Sequence, residues 1–291
     1  MKKVLFSIFL LTILYGCDLY EEEQFEEQYA VESYLIADEK LPRVIVTKTL
    51  PIEVEFSKDR IAIPNSTVEV SLLKTDGSIE ERYTFFHAES GHYFPETDAL
   101  VKSERWYHLT VTLTDGSLVE AKTFVPGTFK IVNEIADNYL YQGDSKISVS
   151  TTPSSYYNRF SYYMITAKAV DTSEKNLTPY YEDLVKEKNS WINSYYINST
   201  EITSENKYKS DSDGNLIMEI PWSLFAFYGQ NDVSINAIDD NIYDYMRSSD
   251  SITDGSTFGS GSVQSIKYNI EGGIGIFGSL ARVTKQVEIN Q

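Results

Sequence analysis

The fold is decided by residues 106–125, which read WYHLTVTLTDGSLVEAKTFV. Apolar residues alternate with polar ones from Tyr107 to Leu113, and a period of two predicts a strand with one buried face. Asp115-Gly116 then interrupts the alternation. Asp-Gly between two alternating runs is a strong hairpin signal, because the tight turn needs positive φ angles. The stretch therefore predicts two antiparallel strands joined by a hairpin.

Similar patterns precede this hairpin. Residues 44–48 and 68–72 alternate in the same way, and Asp76-Gly77 marks another turn. Short strands with turn signals at intervals of roughly 8–12 residues are typical of an all-β sandwich. We therefore predict a mostly β protein, with an immunoglobulin-like β-sandwich over residues 30–126. The usual disulfide between the two sheets is excluded, because the chain has one cysteine.

A second β-rich domain with short helices is predicted over residues 127–291. The dipeptide Pro126-Gly127 reads as the joint between the two domains. Alternating or β-branched runs predict strands, and capped amphipathic runs predict short helices. The strands are expected at residues 146–150, 157–170, 216–220 and 233–238, and the helices at residues 178–188 and 241–249. Tyr180, Leu184 and Val185 form the apolar side of the first helix.

Residues 14–17, Leu-Tyr-Gly-Cys, end a short apolar run that follows Lys2 and Lys3. The run is too short to span a bilayer comfortably, and its layout is that of a secretory signal. A small residue directly before the lone cysteine predicts a lipobox. Residues 1–16 are then removed as a signal peptide, and Cys17 receives a diacylglycerol with fatty chains such as palmitate. An ordinary secretory signal would need small residues at both key positions, and an uncleaved anchor about 20 apolar residues.

An acidic tether is predicted over residues 17–29, with three consecutive glutamates at positions 21–23. A charge run of this kind reads either as a solvated spacer or as a sorting signal. The whole chain has 25 basic and 43 acidic residues and a net charge of −18. Such a field repels nucleic acid and anionic headgroups, so a nucleic-acid partner is excluded.

The most distinctive stretch is residues 268–278, which read YNIEGGIGIFG. Its glycines indicate tight turns or close backbone approach. The stretch resembles the closing motif, N-I-x-G-G-x-G-I-F-G, of the Bacteroidota lipoprotein family catalogued as domain of unknown function 4249. The lipobox, residues 31–35 and the hairpin of residues 107–126 resemble other parts of this family. The resemblance implies an accessory lipoprotein of a TonB-dependent transporter, in the outer membrane. The acidic run behind Cys17 resembles the signal that exports Bacteroidota-type lipoproteins to the outer face of the outer membrane.

The sequence offers little catalytic chemistry. His87, His92 and His108 form no metal-binding spacing, and no nucleophile elbow occurs. Asp211-x-Asp213-x-Asn215 has the alternating oxygens of a calcium loop, but the glycine is misplaced, and a hairpin turn is the favoured interpretation. We therefore predict a protein that is not an enzyme and that has no cofactor and no metal site.

Aromatic residues offer the best candidates for ligand contact. Trp191, Tyr195 and Tyr196 cluster in a polar segment, where they either contact a glycan or peptide or belong to the core. Asp250-Ser251-Ile252 resembles an O-glycosylation site of exported Bacteroidota proteins, with Ser251 as the acceptor in an exposed loop. The predicted function is a non-enzymatic accessory of a TonB-dependent transporter. The alternatives are a free-standing surface module that binds glycan or peptide, and a hydrolase.

Overall fold

The computed structural model describes residues 25–188, 191–253 and 265–291, and most of its regular structure is β. The strands of this part of the chain are β1 Tyr29–Ile36, β2 Val44–Lys48, β3 Thr67–Leu73, β4 Ile79–His87, β5 His92–Pro95, β6 Trp106–Thr112, β7 Leu118–Phe124, β8 Asn138–Leu140, β9 Ile147–Thr151, β10 Tyr162–Ala169, β11 Ile197–Ser199, β12 Thr203–Ser204, β13 Lys209–Ser210, β14 Leu216–Ile220, β15 Gly229–Ile238 and β16 Ile274–Asn290. Its α-helices are α1 Lys58–Ile61, α2 Pro179–Lys188 and α3 Asp240–Thr253. The predicted mostly β class is confirmed.

Strands β1 to β7 form a unit, which we call the seven-strand unit, with the order β1-β2-β5-β4-β3-β6-β7. The predicted hairpin is β6 and β7, which pair from Trp106↔Phe124 to Thr112↔Leu118. Strand β4 pairs first with β3 and then, over its last residues, with β5. This is the strand order of an immunoglobulin-like sandwich, in which four strands form one sheet and three the other. Here β4 is hydrogen-bonded to β3, so the seven strands run on as one sheet, and the sandwich stays a prediction.

The last strand, β16, is unusually long at 17 residues, and besides a short parallel pairing with β8 it has two main partners. Residues 274–280 pair in parallel with β1, and residues 280–289 pair antiparallel with β15. One continuous strand thus belongs both to the seven-strand unit and to the sheet of β10, β15 and β11. The domain boundary at Pro126-Gly127 stays a prediction. Strand β16 pairs with strands from both sides of that boundary, β1 before it and β15 after it.

The core follows the same continuity. One buried cluster joins Val31 and Tyr107 of the seven-strand unit to Met218, Ile235 and Phe277 of the second half. Strands β9, β14 and β13 form a separate small sheet. Helix α3 packs on β16 through Ile242, which lies in a smaller cluster with Ile276 and Leu280.

Several predicted elements differ in detail. The strand expected at residues 157–170 begins only at Tyr162, because the backbone of Asn158 has a φ of 56° and turns the chain. Helix α2 buries Tyr181 rather than Tyr180, which is exposed. The glycine-rich motif does provide close backbone contacts, but it leads directly into the longest strand. No helix of the described residues is long and apolar enough to cross a bilayer.

Candidate functional site

Four aromatic side chains form a cleft at the end of the seven-strand unit where β6 begins and β7 ends, opposite the β6–β7 turn. They are Trp106, Phe124, Tyr156 and Tyr157, and we call the site the aromatic cleft. The ring centroid of Phe124 lies 5.3 Å from that of Trp106, 5.4 Å from that of Tyr156 and 6.0 Å from that of Tyr157. Trp106 is 39% exposed and Tyr157 is 58% exposed, so both present rings to solvent. The cleft has a volume of about 500 Å³.

Local sequence explains why these rings meet. Trp106 and Phe124 are register partners in the β6–β7 hairpin, and cross-strand aromatic pairs stabilise such ladders. Trp106 lies on the face opposite Tyr107, which is fully buried, so the alternation of β6 turns its indole outward. Tyr156 and Tyr157 come from the connection between β9 and β10.

Polar groups line the rim of the cleft. The Ser155 hydroxyl donates to Glu104 Oε1 at 2.7 Å, and Lys74 lies near the same opening. Arg105 donates to the carbonyl of Leu73 at 2.8 Å and also pairs with Glu80. Hydrogen bonds from Arg105, with help from Lys102, lower the pKa of the Glu80 carboxyl. Flat aromatic faces beside a few directed polar groups are the usual features of a site for a sugar ring or a peptide side chain.

An arginine holds Tyr156 in place. The guanidinium of Arg159 lies 3.6 Å from the ring centroid of Tyr156 and 4.2 Å from that of Tyr162. Its Nε donates to Asp240 Oδ1 at 2.7 Å, and the Asp240 backbone N–H donates to the Tyr156 hydroxyl at 3.1 Å. Burial raises the pKa of Tyr156. Cation–π contacts and these hydrogen bonds together fix this wall of the cleft to the start of α3.

A buried carboxyl joins the two halves of the chain behind the cleft. Asp239 is fully buried, and its Oδ1 accepts the backbone N–H of Ile242 at 2.8 Å, which caps α3. Its Oδ2 accepts the Thr123 hydroxyl at 2.5 Å, and Thr123 Oγ1 lies 2.7 Å from Ser279 Oγ. Desolvation by burial raises the pKa of Asp239 to about 7. These hydrogen bonds connect β7, β16 and the start of α3 at one buried junction.

The closing glycine motif is part of the same junction. Asn269 donates to the carbonyl of Phe277 at 2.9 Å and accepts its N–H at 3.0 Å. At Gly275, with a φ of +112°, a Cβ would lie 2.1 Å from the carbonyl oxygen of Val31. At Gly278 a Cβ would lie 2.6 Å from Ile242 of α3. These residues bring β16 against β1 and α3, so the motif serves packing and offers no phosphate cradle.

The predicted aromatic candidates lie outside the aromatic cleft and differ in how exposed they are. Trp191 is 86% exposed and Tyr196 is 47% exposed. Tyr195 packs instead against a small buried cluster, and its ring centroid lies 5.1 Å from that of Tyr181. Their role in ligand contact stays a prediction.

Two other predicted sites have different outcomes. Cys17 lies outside the described residues. Ser251, expected in an exposed loop, falls within helix α3, because the helix continues to Thr253 rather than ending at Ser249. An acceptor in a loop is therefore the wrong description of the backbone at this position.

The possible metal ligands have local partners. Asp211 Oδ1 accepts the backbone N–H groups of Asp213 and Asn215 at 2.9 Å, as expected of a hairpin turn. His108 Nε2 lies 3.2 Å from Glu120 Oε1, and burial lowers the pKa of His108. The described residues contain no group of three or more histidine, cysteine, aspartate or glutamate side chains arranged to hold a metal.

The aromatic cleft is absent from the sequence prediction, although one signal was available. Trp106 occupies a polar-face position of an alternating strand, and a large aromatic residue there has no core to enter. Tyr156 and Tyr157 gave no such signal, because Tyr157 was assigned to the strand predicted at residues 157–170 and Tyr156 directly precedes it.

Comparison with known proteins identifies a family. A family model described as "Domain of unknown function (DUF4249)" matches residues 17–286, which confirms the resemblance of the glycine motif. No curated protein matches the chain.

Solved structures show only weak likeness. Trypsin-activated α2-macroglobulin of Escherichia coli has 10% identity and a TM-score of 0.22, with 74% of this chain and 14% of that chain covered. The Salmonella α2-macroglobulin has 12% identity and a TM-score of 0.25, with 91% and 15% covered. Three N-terminal domains of the bacteriophage RB49 outer capsid protein Hoc have 9% identity and a TM-score of 0.23, with 91% and 70% covered. The chain thus spans about a seventh of these macroglobulins, and similarity at this level carries no argument about function.

Proposed function

The chain belongs to the DUF4249 family, and on that premise we propose that it is a lipid-anchored lipoprotein of the outer membrane. In this proposal Cys17 is the acylated residue, and the body faces the cell surface. The family match begins at Cys17, which supports a mature protein that starts there. Multiple acyl chains, each contributing roughly 0.8 kcal/mol per buried methylene, hold a protein durably on a bilayer.

The observation that supports the proposal is that the start of β1, where the chain arrives from Cys17, and the aromatic cleft lie at opposite ends of the seven-strand unit. Strand β1 begins at Tyr29, beside the end of β2 at Lys48, and we call this the tether end. The Tyr29 hydroxyl donates to Asp115 in the β6–β7 turn at 3.0 Å, so that turn lies at the same end. The aromatic cleft lies at the other end of β6 and β7. A body tethered at one end with an open aromatic cleft at the other is suited to present a binding site away from the membrane.

We propose further that the protein is a non-enzymatic accessory of a TonB-dependent transporter. The test is to recover the tagged full-length protein from native outer membranes, solubilised gently, and to identify what copurifies. Copurification of a TonB-dependent transporter with the wild-type protein supports the proposal. The Cys17→Ser variant, which cannot be acylated, is the control and should recover no transporter. Repeated recovery of the acylated protein without any transporter would refute it.

A second candidate function is a surface module that binds glycan or peptide, and the aromatic cleft favours it. Trp106 and Tyr157 are the exposed rings that a sugar or an apolar side chain would stack against. Binding to a panel of oligosaccharides and peptides should be lost in the Trp106→Ala variant and kept in the Trp191→Ala variant, which removes an equally large exposed ring outside the cleft. The reverse pattern would return the site to Trp191 and its neighbours. If the wild-type protein binds none of the oligosaccharides or peptides, this candidate function is refuted.

A further inference from the structure

We propose that residues 50–56, which read LPIEVEF and which we call the tether-end loop, form a second membrane contact beside the acyl anchor. The apolar side chains of this loop enter the interfacial layer of the bilayer while the body stays in water. This inference rests on the lipid anchoring of Cys17 proposed above, and it adds a contact surface and an orientation to it.

The tether-end loop exposes an unusual amount of apolar surface. Ile52 is 97% exposed, Phe56 is 69% exposed and Val54 is 39% exposed. Single exposed apolar residues are normal on soluble proteins, but several within one short loop mark an interaction surface. Neither Ile52 nor Phe56 belongs to a buried cluster of the described residues. Both side chains therefore have much apolar area to remove from water.

The position of the loop identifies the lipid surface as its partner. The Gln28 backbone N–H donates to Thr49 Oγ1 at 2.9 Å, and the Thr49 N–H donates to the Gln28 carbonyl at 2.9 Å. Lys48 pairs with Glu27 at 2.6 Å. The loop thus leaves the sheet at the point where the chain arrives from Cys17. Phe25 is the eighth residue after Cys17, and even a fully extended chain spans at most about 26–29 Å over those eight steps.

The loop is held in shape before it meets a membrane. Val54 donates its backbone N–H to the Pro51 carbonyl at 3.0 Å, which closes a turn at the tip. Arg60 Nη1 donates to the Glu55 carbonyl at 2.9 Å, and Ser57 caps α1 directly behind the loop. Ordering the segment on binding therefore costs little conformational entropy.

Charge limits how deep the loop can go and which surface it suits. Glu53 and Glu55 alternate with the apolar residues, and both are exposed. Carboxylates remain hydrated at the headgroup level, so the contact is shallow, of the interfacial type that reaches about 5–10 Å into the boundary layer. Like charges repel anionic headgroups, so a zwitterionic surface is the better partner.

The test places an environment-sensitive fluorophore on the loop of the acylated full-length protein. Phe56→Cys is labelled and reconstituted in phosphatidylcholine vesicles, and Leu100→Cys is the matched control. Leu100 is an apolar residue, 57% exposed, that bridges Lys40 at the far end of the unit. The unsubstituted protein is treated in the same way to measure any label on Cys17. We expect a severalfold rise in emission and a blue shift at position 56, quenched by brominated lipid, and neither at position 100.

The outcomes separate this inference from the anchoring on which it rests. If the unsubstituted protein fails to float with vesicles, the anchoring itself is refuted. If it floats but the probe at position 56 stays aqueous, the loop contact is refuted. A probe that responds only when outer-membrane proteins are included would also refute it, and would assign the loop to a protein partner. An Ile52→Ser/Phe56→Ser double variant should still float and unfold at the wild-type temperature, but should lose protection of the loop from protease on vesicles.

Discussion

Replacing Asp239 with Asn should remove a large pH dependence of stability. The carboxyl has a pKa of about 7 in the folded protein, against 3.8 for the free side chain. The folded state therefore holds a proton that the unfolded state releases between these values, and stability falls as the pH rises through this window. A difference of about three pKa units corresponds to roughly 4 kcal/mol, at 1.36 kcal/mol per unit.

The asparagine keeps most of the local bonding while removing the titration. Its oxygen can accept the Ile242 N–H, and its amide can donate to Thr123 Oγ1, the two partners of the native carboxyl. The wild-type protein should therefore lose stability relative to Asp239→Asn as the pH rises from 4 to 8, by up to about 4 kcal/mol. Urea unfolding followed by tryptophan fluorescence measures the difference at each pH. Asp213→Asn, in an exposed turn, is the control.

The result that would refute this reasoning is a stability difference between the wild type and Asp239→Asn that stays constant across the range. It would mean that Asp239 is ionised in the folded protein and that the hydrogen bonds from Ile242 and Thr123 to its carboxyl outweigh desolvation. A similar slope in the Asp213→Asn comparison would assign the effect to general charge repulsion instead.

Other predictions concern the junction around β16. Gly275→Ala should cost more than about 3 kcal/mol or prevent folding, because its Cβ would strike the Val31 carbonyl and φ is positive, as thermal unfolding will measure. Gly214→Ala, with positive φ but open space, should cost only about 1 kcal/mol, and equal losses would contradict the close-approach argument. Asn269→Ala should cost about 1–3 kcal/mol in urea unfolding, because it leaves the Phe277 N–H without a partner and removes one of the two amide donors to the Phe277 carbonyl, the other being Asn241, and a loss below 0.5 kcal/mol would show that water replaces Asn269. Phe277→Ala should cost about 3–5 kcal/mol, and a smaller loss would mean that the core collapses around the cavity.

Local patterns predicted the parts of the fold that depend on local contacts. The β6–β7 hairpin follows from alternation and from Asp115-Gly116, both of which lie within one stretch of chain. Strand β14 also has its predicted bounds, 216–220. The mostly β class followed from these same signals.

Non-local pairing was beyond the sequence pattern. The sequence of residues 274–280 does not indicate that β1 is their pairing partner. The pairing depends on a close backbone approach, which is possible because Gly275 has no Cβ. The aromatic cleft was missed for a related reason, since its rings come from separate segments of the chain. Trp191 is exposed, whereas Tyr195, four residues later, packs against a small buried cluster. The segment has no hydrophobic periodicity, so its composition could not predict which of the two aromatic residues is exposed.

The parallel pairing of the first strand with the last has a consequence for biosynthesis. As the chain emerges, β1 has only β2 beside it, and its other edge stays open until residues 274–280 arrive. An open edge invites pairing with other chains, and closing it late requires a slow, long-range loop closure. Products that stop before β16, including the isolated segment 30–126, should therefore aggregate or be degraded, so that only full-length chains mature.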